Sequence, residues 1–258
     1  MVPISDIEIN AFVAAFGWPF TRIVGLMLAD PLLSSRSVPR RFKAGFALLL
    51  TLLLAPLLPP LPATPVVSGE GLLILAQQLL IGLAMGFTMR IVITAVEMAG
   101  FIMGMQMGLG FAMFYDPQHS AQVPAVSRVL TLFVFLVFLA FNGHQIVLST
   151  LVESFRVLPI GAALPSANLR TMAEWGGHLF SWGLWLALPV VAALLVTNLA
   201  IGVMTRAAPQ FNIFSFGFPL TLLIGFGALY FSLPLMMSAL ETIYREAFHF
   251  MQGMLKAP

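Results

Sequence analysis

Histidine and carboxylate side chains are the groups with which this sequence could bind a metal or catalyse a reaction. The histidines His119, His144, His178 and His249 stand far apart, without the spacing or the carboxylate neighbours that metal ligands need. His144 and Ser149 come closest to a hydrolase pair, but both lie at one end of an apolar segment and no GxSxG motif accompanies them. The nucleotide-binding motifs GxxxxGK[ST] and GxGxxG do not occur. The sequence therefore predicts no catalytic residue, no metal site and no cofactor.

A charged pair, Arg90 and Glu97, lies within a long apolar segment. The two residues are seven positions apart, which places them on one helical face two turns from each other. Ionisable groups inside a membrane pair with one another or mark an ion pathway. The spacing favours a structural ion pair. The alternative is a proton-coupled small-molecule transporter, but Glu97 is the only acidic residue deep within an apolar stretch, and such coupling uses a set of carboxylates.

The stretch from Met98 to Pro117, MAGFIMGMQMGLGFAMFYDP, has the most distinctive composition. Its methionines pack adaptably, its glycines give the backbone freedom, and its phenylalanines fill volume. Two interpretations stay open. The stretch forms a deformable apolar constriction that closes a pore by excluding water, or it forms a glycine-faced core helix that ends at an ordinary Asp-Pro turn.

Composition indicates that the helices carrying these residues lie in a membrane. Of the 258 residues, 60% are hydrophobic and 9% are charged, whereas a soluble domain is about 25% charged. Mean hydropathy is +0.99, and the long, continuous apolar runs predict helices and not alternating membrane strands. The few basic residues cluster only once, which gives no support to nucleic-acid binding. Cysteine is absent, which excludes disulfides and thiolate chemistry.

Apolar stretches mark the predicted helices. They run over residues 9–29, 42–58, 71–114, 129–152, 176–204 and 213–240. Roughly 20 helical residues cross the hydrocarbon core of a bilayer, and all but the third stretch have about this length. The third would form a helix of about 66 Å at 1.5 Å per residue, so we expect it to bend, fold back or leave the bilayer. Pro189, Pro219 and Pro234 interrupt later stretches, as in transporters with broken helices.

Glycines recur at a spacing that brings helices together. Gly82 and Gly86 are four residues apart, and Gly100, Gly104 and Gly108 repeat this spacing twice. Such stripes let another backbone approach closely, and they are common in membrane proteins of many kinds. The pattern therefore predicts helix contact and indicates no particular partner.

Two connectors set the predicted orientation. Residues 34–43, SSRSVPRRFK, hold the basic cluster, and the positive-inside rule places this loop in the cytoplasm and the N-terminus outside. Residues 56–70 are rich in proline and carry no Lys or Arg, which is typical of an extended segment on the far side. Asp6 and Glu8 replace the basic region of a signal peptide, so we expect the first apolar segment to be retained as a span.

Further segments indicate a family. They are PLLSSRSVPRRFK (residues 31–43), FNGHQIVLSTLVESFRVLPIG (residues 141–161) and RAAPQFNIFSFGFPLTLLIG (residues 206–225). With GLGFAMFYDP, they resemble the FliR family of flagellar biosynthetic proteins and its virulence relatives in type III secretion, over nearly the whole chain. The resemblance implies an all-α membrane protein with helical hairpins in a FliP-like part, about residues 1–175, followed by a FliQ-like C-terminal hairpin, about residues 176–258. It also implies helices wound into a cone that is partly raised out of the membrane.

The resemblance further implies partners and a location. One copy of this chain would join FliP-like and FliQ-like subunits in a hetero-oligomeric export gate of the flagellar basal body, in the bacterial inner membrane. An FlhB-like switch protein and membrane lipid would contact it. Unfolded flagellar subunits would pass through it, driven by a separate ATPase and the membrane potential. No nucleic acid is implied.

For the site, the resemblance implies a plug loop near residues 106–122 that closes the pore. The plug or gate residues would be Gly108, Gly110, Phe111, Met113 and Phe114. In the segment 206–225, two interpretations stay open: Pro209 and Asn212 form the turn of the FliQ-like hairpin, or Gln210 and Asn212 also contact a partner.

Overall fold

The structure, a computed structural model, describes residues 6–35, 38–62, 64–111, 124–162, 166–208 and 216–256, without the side chains of residues 6–9, 111, 166, 167 and 169. These residues form eight α-helices and no strand. The helices are α1 (Asp6–Ala29), α2 (Arg40–Leu54), α3 (Gly69–Gln106), α4 (Ala125–Ala140), α5 (Gly143–Val157), α6 (Ser166–Trp175), α7 (His178–Ala207) and α8 (Phe218–Gly253). Short 3-10 turns follow α2 at Ala55–Leu57 and α3 at Leu109–Phe111. The predicted all-α class is confirmed.

Prolines and left-handed residues bound several of these helices. Pro39 and Pro124 are the N-cap residues of α2 and α4, where no intrahelical N–H bond is lost. The break between α4 and α5 falls at Asn142, whose φ of 54° lies in the left-handed region. Gly161, with a φ of 95°, follows α5. The stretch 129–152, predicted as about one span, is therefore two helices.

Helix length distinguishes the candidate spans. Among the described residues, four segments are long and apolar enough to cross a membrane: Asn10–Ala29, Gly69–Gln106, Arg170–Ala207 and Phe218–Gly253; the broken pair α4 and α5 adds a fifth if it counts as one span. Helix α2 has 15 residues, short of the roughly 20 that a span needs, and is not among these candidate spans. Helix α3 has 38 residues and continues unbroken for about 57 Å.

Two compact units make up the fold. The first comprises Met1–Ile91, Asn142–Gly176 and Glu246–Pro258. In it, α1 and α3 approach backbone to backbone: a methyl group added at Gly25 would lie 2.5 Å from the Leu79 carbonyl oxygen, and one at Gly86 would lie 2.7 Å from Asp30 N. The helix contact predicted from the first glycine pair is confirmed.

The second unit comprises Val92–Phe141 and Gly177–Arg245. Its core holds the fully buried Met103, Val134 and Leu240. The Tyr244 hydroxyl donates a hydrogen bond of 3.0 Å to the Val134 carbonyl oxygen. The boundary near residue 175, between a FliP-like and a FliQ-like part, stays a prediction.

Candidate functional site

The end of α3 is joined to the start of α4 by glycine contacts within the second unit. A methyl group added at Gly100 would lie 2.5 Å from Ser127 Cα, and one at Gly104 would lie 2.6 Å from Pro124 Cβ. The Ser127 hydroxyl donates a hydrogen bond of 2.8 Å to the backbone carbonyl oxygen of Glu97. Since any larger side chain would separate these segments, Gly100 and Gly104 set the close approach.

Gly108 lies beyond the last residue of α3, so its predicted place on the helical glycine stripe is wrong. Its N–H donates to the Met105 carbonyl oxygen at 3.1 Å, and its φ of 84° favours glycine. Gly110 is close-packed as well, because a methyl group there would lie 2.7 Å from Met105 Sδ. Both glycines form a tight turn where the helical period ends.

Met107 anchors this turn in the core of the second unit. Its side chain is fully buried and lies against Gly225 of α8, where an added methyl group would meet Met107 Cγ at 2.6 Å. The Thr221 hydroxyl, also on α8, donates a hydrogen bond of 3.3 Å to the Met107 carbonyl oxygen. The end of α3 is thus fixed to both α4 and α8.

Gly104 lies beside described residues on both sides of the segment 112–123. From a methyl group added at Gly104, Leu109 Cδ1 would lie at 3.9 Å and Pro124 Cβ at 2.6 Å. Leu109, before that segment, and Pro124, after it, therefore both lie beside one glycine. We call this cluster of Gly104, Met107, Leu109 and Pro124 the loop base.

The predicted plug residues divide at the edge of the described part. Gly108 and Gly110 lie in the turn next to the loop base. Met113, Phe114 and the Phe111 side chain lie outside the described residues, as do Pro209, Gln210 and Asn212. The structure therefore describes the residues next to the predicted plug, and the assignment of the plug residues stays a prediction.

Arg90 contacts the turn that follows α1. Its Nη1 donates a hydrogen bond of 3.1 Å to the Ser34 hydroxyl. In the same turn, the Asp30 carboxylate accepts bonds of 3.0 Å from the Leu32 and Leu33 N–H groups. Burial raises the pKa of Asp30 above its ordinary 3.8, against the smaller opposing effects of those N–H groups and of the Arg90 charge. The ion pair of Arg90 with Glu97 stays a prediction.

Arg22 is a buried charged residue that sequence reasoning missed. It lies within the candidate span Asn10–Ala29 and is 0% exposed. Its Nε donates to Gln78 Oε1 at 2.8 Å, its Nη1 to the Ser154 carbonyl oxygen at 2.8 Å and hydroxyl at 3.1 Å, and its Nη2 to the Leu158 carbonyl oxygen at 2.9 Å. The Phe155 ring centroid lies 4.2 Å from Arg22 Cζ. A charge inside the first apolar stretch was the signal available in the sequence.

The site considered for hydrolysis is not assembled. The Ser149 hydroxyl donates to the Ile146 carbonyl oxygen at 2.9 Å, within its own helix, and His144 Nδ1 is buried without a hydrogen-bond partner. Among the described residues, no group of three or more His, Cys, Asp or Glu side chains is placed to hold a metal ion.

The long apolar helices and the close glycine contacts define a helical membrane protein, and comparison with known proteins gives its family. The family model described as "Bacterial export proteins, family 1" matches residues 13–247. The chain belongs to this family, the FliR family of bacterial export proteins, as its sequence segments predicted.

Several relatives are named "Flagellar biosynthetic protein FliR". The one from Escherichia coli (strain K12) is 39% identical over 256 residues, covering 99% of this chain and 98% of the relative. The one from Pectobacterium carotovorum subsp. carotovorum is 40% identical over the same coverage. The one from Bacillus subtilis (strain 168) is 29% identical over 91% of this chain and 90% of the relative. These relatives are named for a role in flagellar biosynthesis and not for a reaction.

Proposed function

We propose that this chain is a pore-forming subunit of the flagellar type III export gate in the bacterial inner membrane, through which unfolded flagellar subunits pass. Its family of export proteins and relatives named for flagellar biosynthesis support this role. So do its candidate membrane spans. The observation that carries the gate assignment is the loop base, in which Leu109 and Pro124, on the two sides of the segment 112–123, both lie beside Gly104.

A plug that opens and closes many times needs flanking residues that stay in place and a plug segment that can change its conformation. The loop base supplies these flanking residues, because Gly104 closes on Pro124 and Met107 is buried against α8. In this proposal the plug moves aside for a passing subunit while α3 and α4 stay in contact. Its apolar side chains exclude water and ions from a narrow pore when they fill it. In this proposal the closing residues are Gly108, Gly110, Phe111, Met113 and Phe114.

The proposed gate is a hetero-oligomer in which one copy of this chain joins FliP-like and FliQ-like subunits and contacts an FlhB-like protein. Large apolar side chains stay exposed on α7 and α8, among them Leu199 at 70% and Phe231 at 78% exposure. Contiguous apolar surface of this kind marks contact with protein or with lipid. It supports assembly in the membrane.

The plug is tested by deleting Gly110–Phe114 in the assembled gate. The apolar barrier is then lost, and we expect membranes that carry the complex to conduct ions when no substrate is present. Ion flux into vesicles that contain the complex measures this. Native mass spectrometry of the same preparation establishes that the variant assembles.

A point variant with a matched control separates the barrier from general loss of aromatic volume. Phe111→Ala with Phe114→Ala removes two rings from the proposed plug and should raise the conductance. Phe42→Ala with Phe46→Ala removes two rings of α2 whose centroids lie 6.5 Å apart, outside the proposed plug, and should leave the conductance unchanged. An intact complex whose conductance is normal after the deletion contradicts the plug, and a stalled substrate that never cross-links to position 111 or 114 indicates a scaffold without pore contact.

A further inference from the structure

An apolar groove runs along the seam between α1 and α2 in the first unit. Its first part has a volume of about 490 Å³ and begins at Phe12. Its second part, of about 410 Å³, ends at Leu28, Ser34 and Lys43. Phe20 borders both parts, so the two parts are neighbours along the seam. From Phe12 to Leu28 it follows α1 for about 24 Å at 1.5 Å per residue.

The first part of the groove is lined by apolar side chains and one threonine whose hydroxyl already has a hydrogen-bond partner. Thr51 is the hydroxyl-bearing residue in its lining, and its Oγ1 already donates to the Ala47 carbonyl oxygen at 2.7 Å. Gly17 leaves the floor open, because a methyl group added there would meet no atom within 4 Å. Such a surface suits a flexible apolar chain, since a polar group would lose its hydrogen bonds to water there.

Two cations flank the turn at the other end of the groove. Lys43 Nζ donates to the Ser35 carbonyl oxygen at 2.8 Å, and Arg90 Nη1 donates to the neighbouring Ser34 hydroxyl at 3.1 Å. An ammonium group has three N–H donors and a guanidinium five, so each cation retains donors for an anion. Two further cations, Arg40 and Arg41, are exposed at the start of α2.

The positive charge at this end is partly offset by a buried carboxylate. Asp30 attracts Arg90, but its carboxylate is buried and receives two backbone N–H bonds. The ion pairs found in the described part of the chain join Arg156 to Glu153, Arg170 to Glu174 and Arg245 to Glu241. Lys43 and Arg90 are not members of these three pairs.

We propose that this groove binds one anionic phospholipid, whose acyl chain lies along the α1 and α2 seam and whose phosphate contacts Lys43 and Arg90. One leaflet of hydrocarbon is about 15 Å deep, which fits within the groove. The positive-inside rule places the basic loop at the cytoplasmic leaflet, where anionic headgroups are found. A phospholipid carries both the apolar chain and the anion in one molecule, which matches a groove that is apolar along its length and basic at one end.

The headgroup contact is tested with the full-length chain, delipidated in detergent and titrated with phosphatidylglycerol or phosphatidylcholine under native mass spectrometry. We expect the anionic lipid to bind about tenfold more tightly, because cations that retain N–H donors recognise its charge. Lys43→Gln with Arg90→Gln should reduce this preference to less than twofold. Arg156→Gln with Arg170→Gln, which removes two exposed cations from the same unit, should leave the preference unchanged.

A second pair of variants tests the acyl chain. Gly17→Leu fills the floor of the groove, and we expect it to weaken both lipids at least fivefold while the preference for the anionic one stays. Gly253→Leu adds the same side chain at the end of α8, in the same unit, where an added methyl group also meets no atom within 4 Å, and should have no effect. The charge-conserving pair Lys43→Arg with Arg90→Lys should retain the preference, which separates lost charge from lost folding.

Several outcomes would overturn the lipid site. Equal binding of the two lipids by the unaltered chain would show that the basic end does not recognise the headgroup charge. Displacement of phosphatidylglycerol by glycerol phosphate alone would show that the acyl chain does not contribute to binding. A cysteine at position 17 that cross-links to another subunit in native membranes, and not to a photoreactive phospholipid, assigns the groove to a protein partner. None of these outcomes depends on whether the chain forms an export gate.

Discussion

Neutral groups hold the buried guanidinium of Arg22 inside an apolar helix. Its hydrogen bonds reach the Ser154 and Leu158 carbonyl oxygens at the end of α5 and the amide oxygen of Gln78. The carboxyl end of a helix carries partial negative charge, so a cation is stabilised there without a carboxylate. The planar fork of arginine matches acceptors in several directions at once, which the ammonium of lysine does not. Arg22 thereby fastens α1, α3 and α5 together within the first unit.

Replacing Arg22 tests this arrangement. We expect Arg22→Met to lower the free energy of unfolding by about 3 kcal/mol, because the buried acceptors lose their donors. Arg22→Lys should recover only part of the loss. Arg156→Met, at a cation that is 63% exposed beside Glu153, should change the free energy by less than about 0.5 kcal/mol. Chemical unfolding in detergent measures all three, and equal losses for Arg22→Met and Arg156→Met would refute the buried role.

Asp30 makes the stability of the fold depend on pH. Burial raises the folded-state pKa of Asp30 above the ordinary 3.8 of the unfolded chain. At pH values between the unfolded-state pKa and the folded-state pKa, the folded chain therefore binds more protons than the unfolded chain. Stability then falls as pH rises through that window, starting near pH 3.8. Asp30→Asn keeps an oxygen that accepts from Leu32 and Leu33 but does not titrate. We expect the unaltered chain to lose stability relative to this variant across the window and to run parallel to it at higher pH.

The comparison is made by thermal unfolding at a series of pH values. Glu174→Gln serves as its control, since the Glu174 side chain is 64% exposed beside Arg170 and should leave the slope nearly unchanged. If the Asp30→Asn curve stays parallel to that of the unaltered chain from pH 3.8 upward, the buried carboxylate does not contribute as argued.

At the scale of the helices, α1 and α3 pack through their backbones. A side chain at Gly82 would meet the Arg22 carbonyl oxygen and would lie 2.7 Å from Leu26 N. Backbone atoms cannot rotate aside as a flexible side chain can, so the contact between α1 and α3 leaves no room for a Cβ atom at residue 82. The same closeness allows the Arg22 side chain to reach Gln78 on α3.

Gly82→Ala on α3 should therefore destabilise the fold, whereas a glycine-to-alanine substitution on α1 at a position without close neighbours should not. We expect Gly82→Ala to cost about 1–3 kcal/mol through forced separation of the helices. Gly17→Ala on α1, where an added methyl group meets nothing within 4 Å, should stabilise by roughly 0.5–1 kcal/mol, as is usual for a helix interior. Unfolding measurements that give both substitutions the same sign would contradict the backbone contact.

The helices that could be predicted from the sequence are those marked by a long apolar stretch or by regularly spaced glycines. The long α3 and the Gly82 contact followed from local pattern. Gly108 was misplaced because the four-residue spacing continues past Gln106, where the helix has already ended. Arg22 was missed because its partners lie 56 to 136 residues away in the chain, and no local pattern encodes such a contact. Of the candidate site, sequence alone indicated the composition but not the loop base, which depends on Pro124 returning to Gly104.

At the scale of the whole molecule, α7 and α8 present apolar surface that the chain itself does not cover. In the most apolar part of Arg170–Ala207, which includes α7, 33% is buried, and in that of α8 28% is buried. The exposed apolar positions of α7 extend from Phe180 to Val203, and those of α8 from Phe218 to Met237. Each range covers about 30–35 Å at 1.5 Å per residue, close to one hydrocarbon thickness. Apolarity and length alone therefore fit lipid and a neighbouring subunit equally well.

Assembly into an export gate separates these two environments. If partner subunits cover this surface, a photoreactive residue placed at Leu199 or Phe231 should cross-link to another export component in native membranes. In cells that lack the other components, the same residues should instead contact a photoreactive phospholipid, because the apolar surface must then face hydrocarbon. A residue placed at Val190, which is 0% exposed on α7, should react with neither and serves as the control. Lipid contact that is identical in both backgrounds at Leu199 and Phe231 would mean that these helices form the outer wall of the complex and that its subunit interfaces lie elsewhere.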